Sequence, residues 1–288
     1  MENADGYLAR GKRFAVIGDP VAHSLSPLLH RIVYAKLGIE ATFEKVRVAP
    51  EALAAFLAET ELDGFNVTIP HKERVVAMLP ETRGDAALAD AVNTVVRENL
   101  NGVSRLIGYN TDMRGLQLAL RNAGAEYKDA VVCVFGTGGA ARGAARKAAS
   151  EGAKEVRIFG RNREKAEAIL PGAFHGTLSA EALRGADVFL NATPLGMAGM
   201  AEDFEDLSFL AGLPAHALVY DLVYTPAETK LLAAARARGL RAENGLLMLV
   251  WQGLLADSLF GIAPEQTLLT KEYYDAVYAA LADELKKD

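Results

Sequence analysis

The feature that most constrains the fold is a glycine-rich segment near the middle of the chain, residues 136–141 with the sequence GTGGAA. Five apolar residues, Val131–Phe135, precede it, and an alanine-rich stretch of helical character follows it. Glycines permit a tight turn and let the backbone approach a pyrophosphate, while the next helix offers unpaired N–H groups at its start. The last glycine of the dinucleotide-binding fingerprint can be replaced by alanine, as at Ala141. The segment therefore predicts a dinucleotide-binding strand, turn and helix.

Short apolar runs alternate with segments of helical periodicity along nearly the whole chain. Parallel strands need crossover connections, so this alternation predicts an α/β fold with mostly parallel sheets. In the first block the predicted strands are 14–17, 41–48 and 64–69, and the predicted helices are 26–37, 50–58 and one from about residue 71. In the second block the strands are 131–135, 156–159, 188–191 and 218–221, with a helix at 140–149 and later helices at 246–260 and 264–285.

Composition indicates a globular protein with more than one domain. A chain of 288 residues exceeds the size, about 250 residues, above which single cores commonly divide. The net charge of -6 indicates no basic footprint for nucleic acid. The single cysteine, Cys133, lies in an apolar run and suits a core position in a reducing compartment. No apolar run reaches the ~18 residues of a membrane span, and no secretion signal is visible, so we expect a cytoplasmic protein.

The choice between NAD and NADP is read at the end of the second predicted strand of the nucleotide-binding block. An NAD enzyme places an acidic side chain there, about twenty residues after the glycines, for the ribose 2′-hydroxyl. This chain has Arg161 and Arg163 instead, on either side of Asn162. Guanidinium groups form charge-assisted hydrogen bonds with a 2′-phosphate. The cofactor is therefore predicted to be NADP.

Hydride transfer to a ketone also needs a group that protonates the new alkoxide, and the first block offers candidates. The polar stretch Asn66–Lys72 follows a predicted strand, at the end where open α/β sheets bind ligands. Asp112 follows another strand-like run, and with Lys72 it forms a candidate proton-handling pair. Three alternatives stay open: Asp112 is only a helix cap, Lys72 is a surface residue, or His71 is the acid–base group.

The sequence lacks the motifs of metal sites, hydrolase nucleophiles and phosphate-binding loops. The five histidines are scattered, with no HExxH sequence and no cysteine pair, so no metal site is predicted. Neither the GxSxG nucleophile turn nor the GxxxxGK phosphate loop occurs.

Together these motifs resemble the shikimate dehydrogenase family from about Phe14 to the C-terminal helices. The segment 17–27, IGDPVAHSLSP, is similar to the opening signature of the family, in which two serines hold the substrate carboxylate. A helix-capping role for Ser26 with Pro27 is compatible with this. The resemblance extends to the catalytic motif at 66–72, the segment AVNT at 91–94, and GYNTD at 108–112. It implies Lys72 and Asp112 as the catalytic residues, with substrate contacts from Ser24, Ser26, Thr68 and Asn93.

The resemblance continues through the second block. The glycine loop, the segment GRN at 160–162, the segment NATPLGM at 191–197, and the closing GLLMLVWQ at 245–252 are each similar to family motifs. They imply substrate contacts from Tyr224 and Gln252. Cofactor contacts are implied for Gly136, Gly138, Gly139, Ala140, Arg161, Asn162, Arg163, Thr193, Leu222 and Gly245. The chain departs from the family pattern at Gly160 and Asn162, which affects the expected hydrogen bonding of that loop more than its charge. It also departs at Asp90 and Thr137, neither of which removes a functional group.

The family resemblance implies an NADP-dependent oxidoreductase that reversibly reduces 3-dehydroshikimate to shikimate, in the biosynthesis of aromatic amino acids. It implies a shikimate-binding catalytic domain, 1–110 with 247–288, and an NADP-binding Rossmann domain, 111–246. The partners are then small molecules, with no nucleic acid and no membrane, and the protein is a monomer or a homodimer. Two alternatives are a quinate/shikimate dehydrogenase of broader specificity and a non-catalytic NADP-binding regulator. An amino-acid or folate dehydrogenase would leave Ser24, Ser26 and Gln252 without a purpose.

Overall fold

Two six-stranded sheets organise the computed structural model, which describes residues 11–199 and 202–287. The strands are β1 Lys12–Gly18, β2 Ala41–Arg47, β3 Gly64–Val67, β4 Glu81–Thr82, β5 Thr94–Leu100, β6 Val103–Tyr109, β7 Val131–Phe135, β8 Glu155–Phe159, β9 Phe174–Gly176, β10 Val188–Asn191, β11 Leu218–Asp221 and β12 Arg241–Asn244. The helices are α1 Ser26–Leu37, α2 Leu53–Glu59, α3 Ala86–Ala89, α4 Asp112–Asn122, α5 Gly139–Ser150, α6 Arg163–Ile169, α7 Lys230–Ala237, α8 Leu246–Leu259, α9 Glu265–Leu268 and α10 Lys271–Glu284.

The chain divides into two compact units. One unit runs to Gly115 and resumes with Leu249–Glu284, and the other contains Leu116–Met248. These junctions lie a few residues from the limits 110/111 and 246/247 expected from sequence. The assignment of the units to substrate and cofactor stays a prediction.

The sheet of the first unit is mixed. Its strand order is β2-β1-β3-β5-β6-β4. Strands β2, β1 and β3 run parallel, whereas β5 is antiparallel to both β3 and β6. The core on this sheet contains Ala15, Ile17, Phe65 and Val95, all fully buried. A sheet in which parallel pairs outnumber antiparallel ones agrees with the predicted class.

The second unit contains an entirely parallel sheet of order β12-β11-β10-β7-β8-β9. Strand β7 is central, and its neighbours β8 and β10 lie on opposite sides of it. Cys133 is buried in its core, and this burial raises the pKa of the thiol to about 12. The fold class predicted from the alternating elements, α/β with a Rossmann-type second unit, is confirmed.

Two helices expected from sequence differ in the structure. The helix predicted from about residue 71 is instead a series of turns with one short 3₁₀ segment, Val76–Met78. Pro70 and Pro80 bound this stretch, and the adjacent valines at 75 and 76 disfavour continued helix. The single helix expected at 264–285 is divided into α9 and α10, with non-helical residues between them. Helix α1, by contrast, spans the predicted 26–37 and is followed by Gly38.

Within residues 11–199 and 202–287, no helix combines the length and the apolar character that crossing a membrane requires.

A close approach at Gly115 fixes the position of α8 near the start of α4. A Cβ added at residue 115 would lie 2.8 Å from the Cβ of Gln252 and 2.9 Å from its backbone nitrogen. Real Cβ atoms do not come this close to a backbone, so any side chain here would displace that turn of α8.

We therefore expect Gly115→Ala to lower the free energy of unfolding by about 1–3 kcal/mol, the usual range for overpacking. The direction of this change in stability is informative, because alanine favours helix over glycine by about 1 kcal/mol. Without the close approach, the substitution would raise the free energy of unfolding. Urea denaturation followed by circular dichroism measures it. The neighbouring Arg114→Ala, which removes only a partly exposed ion pair with Glu265, is the control and should cost less than about 1 kcal/mol. A stability gain in Gly115→Ala would contradict the close approach.

Candidate active site and cofactor groove

In the first unit Lys72 and Asp112 form an ion pair, with Lys72 Nζ donating to Asp112 Oδ2 over 2.7 Å. Lys72 lies in the turns after β3, and Asp112 is the first residue of α4. Both side chains are partly exposed, at 33% and 21%. The pair is therefore accessible to a small molecule while each charge keeps a fixed partner.

Asn93, just before β5, holds the other carboxylate oxygen. Its Nδ2 donates to Asp112 Oδ1 at 2.8 Å and to Thr111 Oγ1 at 2.9 Å. Gln252 Oε1 accepts from the same nitrogen at 3.3 Å, which brings α8 to this cluster. The backbone N–H of Thr111 donates to Asn93 Oδ1 at 2.7 Å. Because a backbone N–H can only donate, the oxygen of the Asn93 amide must lie on the side of Thr111 N and its nitrogen on the other side. Four of the predicted site residues, Lys72, Asn93, Asp112 and Gln252, are thus joined in one polar cluster.

The helix-capping alternative for Asp112 does not match its contacts. The side chain that caps this end of α4 is Asn110, whose Oδ1 accepts from the backbone N–H of Met113 at 3.2 Å. The Asp112 carboxylate is consequently directed to Lys72 and Asn93. Nor is Lys72 on the first turn of a helix, where the sequence placed it, because the residues around it form turns.

His71 is not part of the cluster. Its side chain is fully buried, and Nε2 lies 2.6 Å from the backbone carbonyl of Val48. The histidine therefore anchors the chain after β3 in the interior. Its neighbour Lys72 is left on the accessible side.

The serines and the threonine expected to bind substrate lie on two segments that are tied together. Thr68 donates its backbone N–H to Ile17 O at 2.9 Å, and Asp19 donates its own to Ile69 O at 3.0 Å. Ser24 Oγ accepts from the backbone N–H of Ser26 at 3.3 Å. Ser26 is the first residue of α1 and Leu25 occupies the capping position, so the alternative in which Ser26 caps the helix does not match this start.

In the second unit a groove of about 490 Å³ lies beside the glycine-rich turn. Five of the predicted cofactor residues line it: Gly136, Gly138, Arg161, Asn162 and Thr193. Thr137, Gly160 and Lys165 also line it. The lining therefore combines glycines, basic side chains after β8 and at the start of α6, and one acidic side chain, Glu202.

The glycine turn fits a bound pyrophosphate. Gly136 has φ +127°, which side-chain-bearing residues rarely adopt, and a Cβ there would lie 3.0 Å from Ala192 O. Around Gly138, a Cβ would meet nothing within 4 Å, so the backbone is open on that side. Helix α5 starts at Gly139 and has 12 residues, long enough to direct its N–H groups and positive dipole end at an anion.

Arg163 lies away from the groove that Arg161 lines. Its guanidinium is 5.8 Å from the ring centre of Phe174 and 3.9 Å from a carboxylate oxygen of Glu167. Asn162 caps α6, its Oδ1 accepting from the backbone N–H of Lys165 at 2.8 Å. Sequence reasoning missed Lys165, for which the signal was a third basic residue close after Arg161 and Arg163.

A buried network holds the segment that carries Thr193. Asn191 Nδ2 donates to Asp221 Oδ1 at 2.9 Å, and Asn191 Oδ1 accepts from both the backbone and the hydroxyl of Thr193. Asp221 Oδ2 accepts from the hydroxyl of Thr229, the capping residue of α7, at 2.7 Å. Burial raises the pKa of Asp221, against the lowering effect of these hydrogen bonds. Sequence reasoning did not identify Asp221, because an aspartate that ends an apolar strand has no distinctive motif.

Leu222, Tyr224 and Gly245 lie at the ends of β11 and β12. Gly245 donates its backbone N–H to Val223 O at 3.2 Å, and an added Cβ would overlap the carbonyl of Leu222. Tyr224 is half-buried, and this burial raises the pKa of its hydroxyl. None of these three, nor Gly139 or Ala140, is among the residues that line the groove. Their assigned contacts stay predictions.

No group of three or more His, Cys, Asp or Glu side chains is arranged to hold a metal ion in the part of the chain that the structure describes.

Comparisons with known proteins agree with this geometry. A family model for the shikimate dehydrogenase substrate binding domain matches residues 16–95. A shikimate dehydrogenase (NADP(+)) of Symbiobacterium thermophilum is 40% identical over 85% of this chain and 87% of its own length. A crystal structure of shikimate dehydrogenase in complex with NADP+ superposes with a TM-score of 0.81, 34% identity, and coverage of 93% and 95% of the two chains. A Thermus thermophilus shikimate 5-dehydrogenase in complex with NADP(H) and shikimate superposes with a TM-score of 0.78 and 34% identity, and the match covers 93% of this chain and 99% of that one.

Proposed function

The chain belongs to the shikimate dehydrogenase family, and on this premise we propose that Lys72 and Asp112 carry out the proton transfer of its reaction. It is an NADP-dependent oxidoreductase that reversibly reduces 3-dehydroshikimate to shikimate, in the biosynthesis of aromatic amino acids. The observation that carries the proposal is the partly exposed 2.7 Å ion pair between the two side chains, with Asn93 donating to the other oxygen of Asp112.

Lys72 acts as the proton donor in the direction of ketone reduction. Its ammonium holds a proton on Nζ and transfers it to the oxygen that becomes a hydroxyl group. In the reverse direction the neutral amine takes this proton back. When bound, NADPH supplies the hydride that reduces the ketone carbon.

Asp112 keeps the ammonium group of Lys72 in position and accepts a hydrogen bond from a substrate hydroxyl. The carboxylate has the capacity for both, since each of its two oxygens can accept more than one hydrogen bond. Asn93 and Gln252 contribute amide groups to the same surface, which suits a ring that carries several hydroxyls. The hydroxyls of Ser24 and Ser26 bind the substrate carboxylate, with Thr68 beside them.

The groove of the second unit holds NADP. The turn at Gly136 and Gly138 and the start of α5 bind the pyrophosphate, and Thr193 lies next to Gly136 in the same lining. Arg161 and Lys165 contact the 2′-phosphate, because both are basic and both line the groove. Accordingly, we assign substrate binding to the unit that ends at Gly115 and resumes at Leu249, and cofactor binding to the other.

The enzyme works in the cytoplasm as a monomer or a homodimer on this proposal. Its single cysteine is buried and unpaired, which suits a reducing compartment. Among the alternatives, a non-catalytic regulator would have no need for a fixed Lys72–Asp112 pair. A dehydrogenase that prefers NAD would need an acidic residue where Arg161 lies.

The activity is tested by following NADPH absorbance with shikimate or quinate and with NADP or NAD. We expect a strong rate with shikimate and NADP alone. Comparable rates with quinate or NAD would assign the protein to the broader quinate/shikimate class. Absence of turnover in every pairing, together with NADPH binding, would favour the regulator.

We expect Lys72→Met to lower kcat by about 10²- to 10⁴-fold, the usual contribution of a general acid. NADPH affinity, measured by fluorescence titration, should not change, because the groove residues belong to the other unit. The control is Arg74→Met, an exposed basic residue two positions along the chain, which should keep the wild-type kcat. Wild-type turnover in Lys72→Met would refute the assignment.

Arg161→Ala and Lys165→Ala should each raise the KM for NADP, by roughly tenfold or more if one charge-assisted hydrogen bond to the phosphate is lost. The KM for NAD should change little, because NAD has no 2′-phosphate. Arg163→Ala tests whether Arg163, which the sequence also assigns to the cofactor, contacts the phosphate. Its guanidinium lies over Phe174, so we expect a smaller effect there than at Arg161, and the opposite order would contradict the proposed contacts.

A further inference from the structure

Two buried ionisable residues in the first unit, His30 and Asp257, take no direct part in the chemistry proposed above. His30 lies in α1 and Asp257 in α8, and the structure leaves neither side chain exposed. His30 Nδ1 is 2.7 Å from Asp257 Oδ1, and His30 Nε2 is 3.0 Å from Asn66 Oδ1. The imidazole also stacks on the ring of Phe43, with 3.9 Å between ring centres. The histidine is therefore held on both ring nitrogens and on one face.

The neighbours of Asn66 determine the direction of these hydrogen bonds. Asn66 Nδ2 faces the backbone carbonyl of Asn93 at 3.4 Å and Thr94 Oγ1 at 3.1 Å. A carbonyl can only accept, so the amino group of Asn66 lies on this side and its Oδ1 faces His30. His30 Nε2 must then carry a hydrogen and donate it to Asn66. The other ring nitrogen shares one proton with Asp257.

The chain continues from Thr94 to the catalytic pair. Thr94 Oγ1 accepts from Asn66, which leaves its hydrogen to be donated to Asn93 Oδ1 at 3.1 Å. Asn93 in turn donates to Asp112 Oδ1 at 2.8 Å. An unbroken and directional series of hydrogen bonds therefore connects His30 with Asp112.

Stability alone gives little reason to keep such a pair in the core. Taking two ionisable groups out of water is costly, and well-packed apolar residues in their place are often neutral or stabilising. The hydroxyl of Tyr34 lies beside the Asp257 carboxylate, so Asp257 has a second polar neighbour besides His30. Burial raises the pKa of Asp257, against the lowering effect of His30. A buried ionisable pair is therefore weak evidence of a purely stabilising role.

We propose that His30, held by Asp257, is a positioning residue for the reaction. It fixes the amide of Asn66 and, through Thr94 and Asn93, the place of the Asp112 carboxylate beside Lys72. The inference rests on the catalytic role proposed for Lys72 and Asp112. Loss of His30 should therefore slow the chemical step and leave cofactor binding unchanged.

The first test compares His30→Phe with His30→Gln in the full-length enzyme, assayed well below its melting temperature. Phenylalanine keeps a ring over Phe43 but cannot donate, whereas the glutamine side chain can donate to Asn66 from nearly the place of Nε2. We expect kcat for shikimate oxidation to fall by roughly 10- to 100-fold in His30→Phe, the scale of a small misplacement in an active site. The KM for NADP should stay unchanged, and His30→Gln should recover most of kcat.

A second variant separates positioning from stability, because His30→Phe alone leaves the Asp257 carboxyl group buried without its partner. The double variant His30→Phe/Asp257→Leu replaces the pair with apolar residues and should restore the melting temperature. We expect kcat to remain low in it. The packing control is Val33→Ala, a fully buried residue one turn along α1, which should lower the melting temperature and keep the wild-type kcat.

The outcomes are distinct. Wild-type kcat in folded His30→Phe or in the double variant would overturn the positioning role, as would an equal loss of kcat in Val33→Ala. Equal loss of kcat in His30→Gln and His30→Phe would also overturn it. An inactive wild-type enzyme would instead refute the proposed function itself, so the two failures cannot be confused.

Discussion

The side chain of Asn93 is the contact on which the polar cluster of the first unit depends. Its two amide atoms bind residues from three segments: the start of α4 at Thr111 and Asp112, α8 at Gln252, and β5 at Thr94. An amide can serve all three because it is both a donor and an acceptor. Asn93 is only 2% exposed, so its hydrogen bonds to Thr94, Thr111 and Gln252 form away from competing water. The placement of Asp112 beside Lys72 follows from this one residue.

In the second unit a buried carboxylate joins several segments, as the amide of Asn93 does in the first unit. Asp221 accepts from Asn191, from Thr229 and from the backbone of Val223, and in this way it joins the ends of β10 and β11 to α7. The segment that lines the groove beside the glycine turn is thereby held by buried groups. In both units a single satisfied polar side chain determines where several exposed functional groups lie. Such networks are costly when incomplete, which is why they specify one arrangement.

Sequence patterns predicted the strands more reliably than the helices. The apolar runs at 131–135, 188–191 and 218–221 correspond to β7, β10 and β11, because buried parallel strands show nearly continuous apolar residues. The stretch after His71 was predicted as a helix and forms turns, since local apolar spacing does not register the hydrogen bond that draws His71 to Val48. The motif residues of the first unit were found, but Asn66, Asn110 and Thr111 were not recognised as their supports.

The sequence by itself determined the α/β class, the glycine turn and the preference for NADP. These properties depend on residues close together in the chain: an apolar strand, a turn that needs glycine, and basic side chains at the end of the next strand. Only the tertiary structure decided that Arg161 and Lys165 line the groove while Arg163 lies over Phe174. Only it joined His30 to Asp257, which lie 227 positions apart in the sequence. Hydrogen-bond partners are selected by distance and direction in space, and the spacing of residues along a chain does not contain that information.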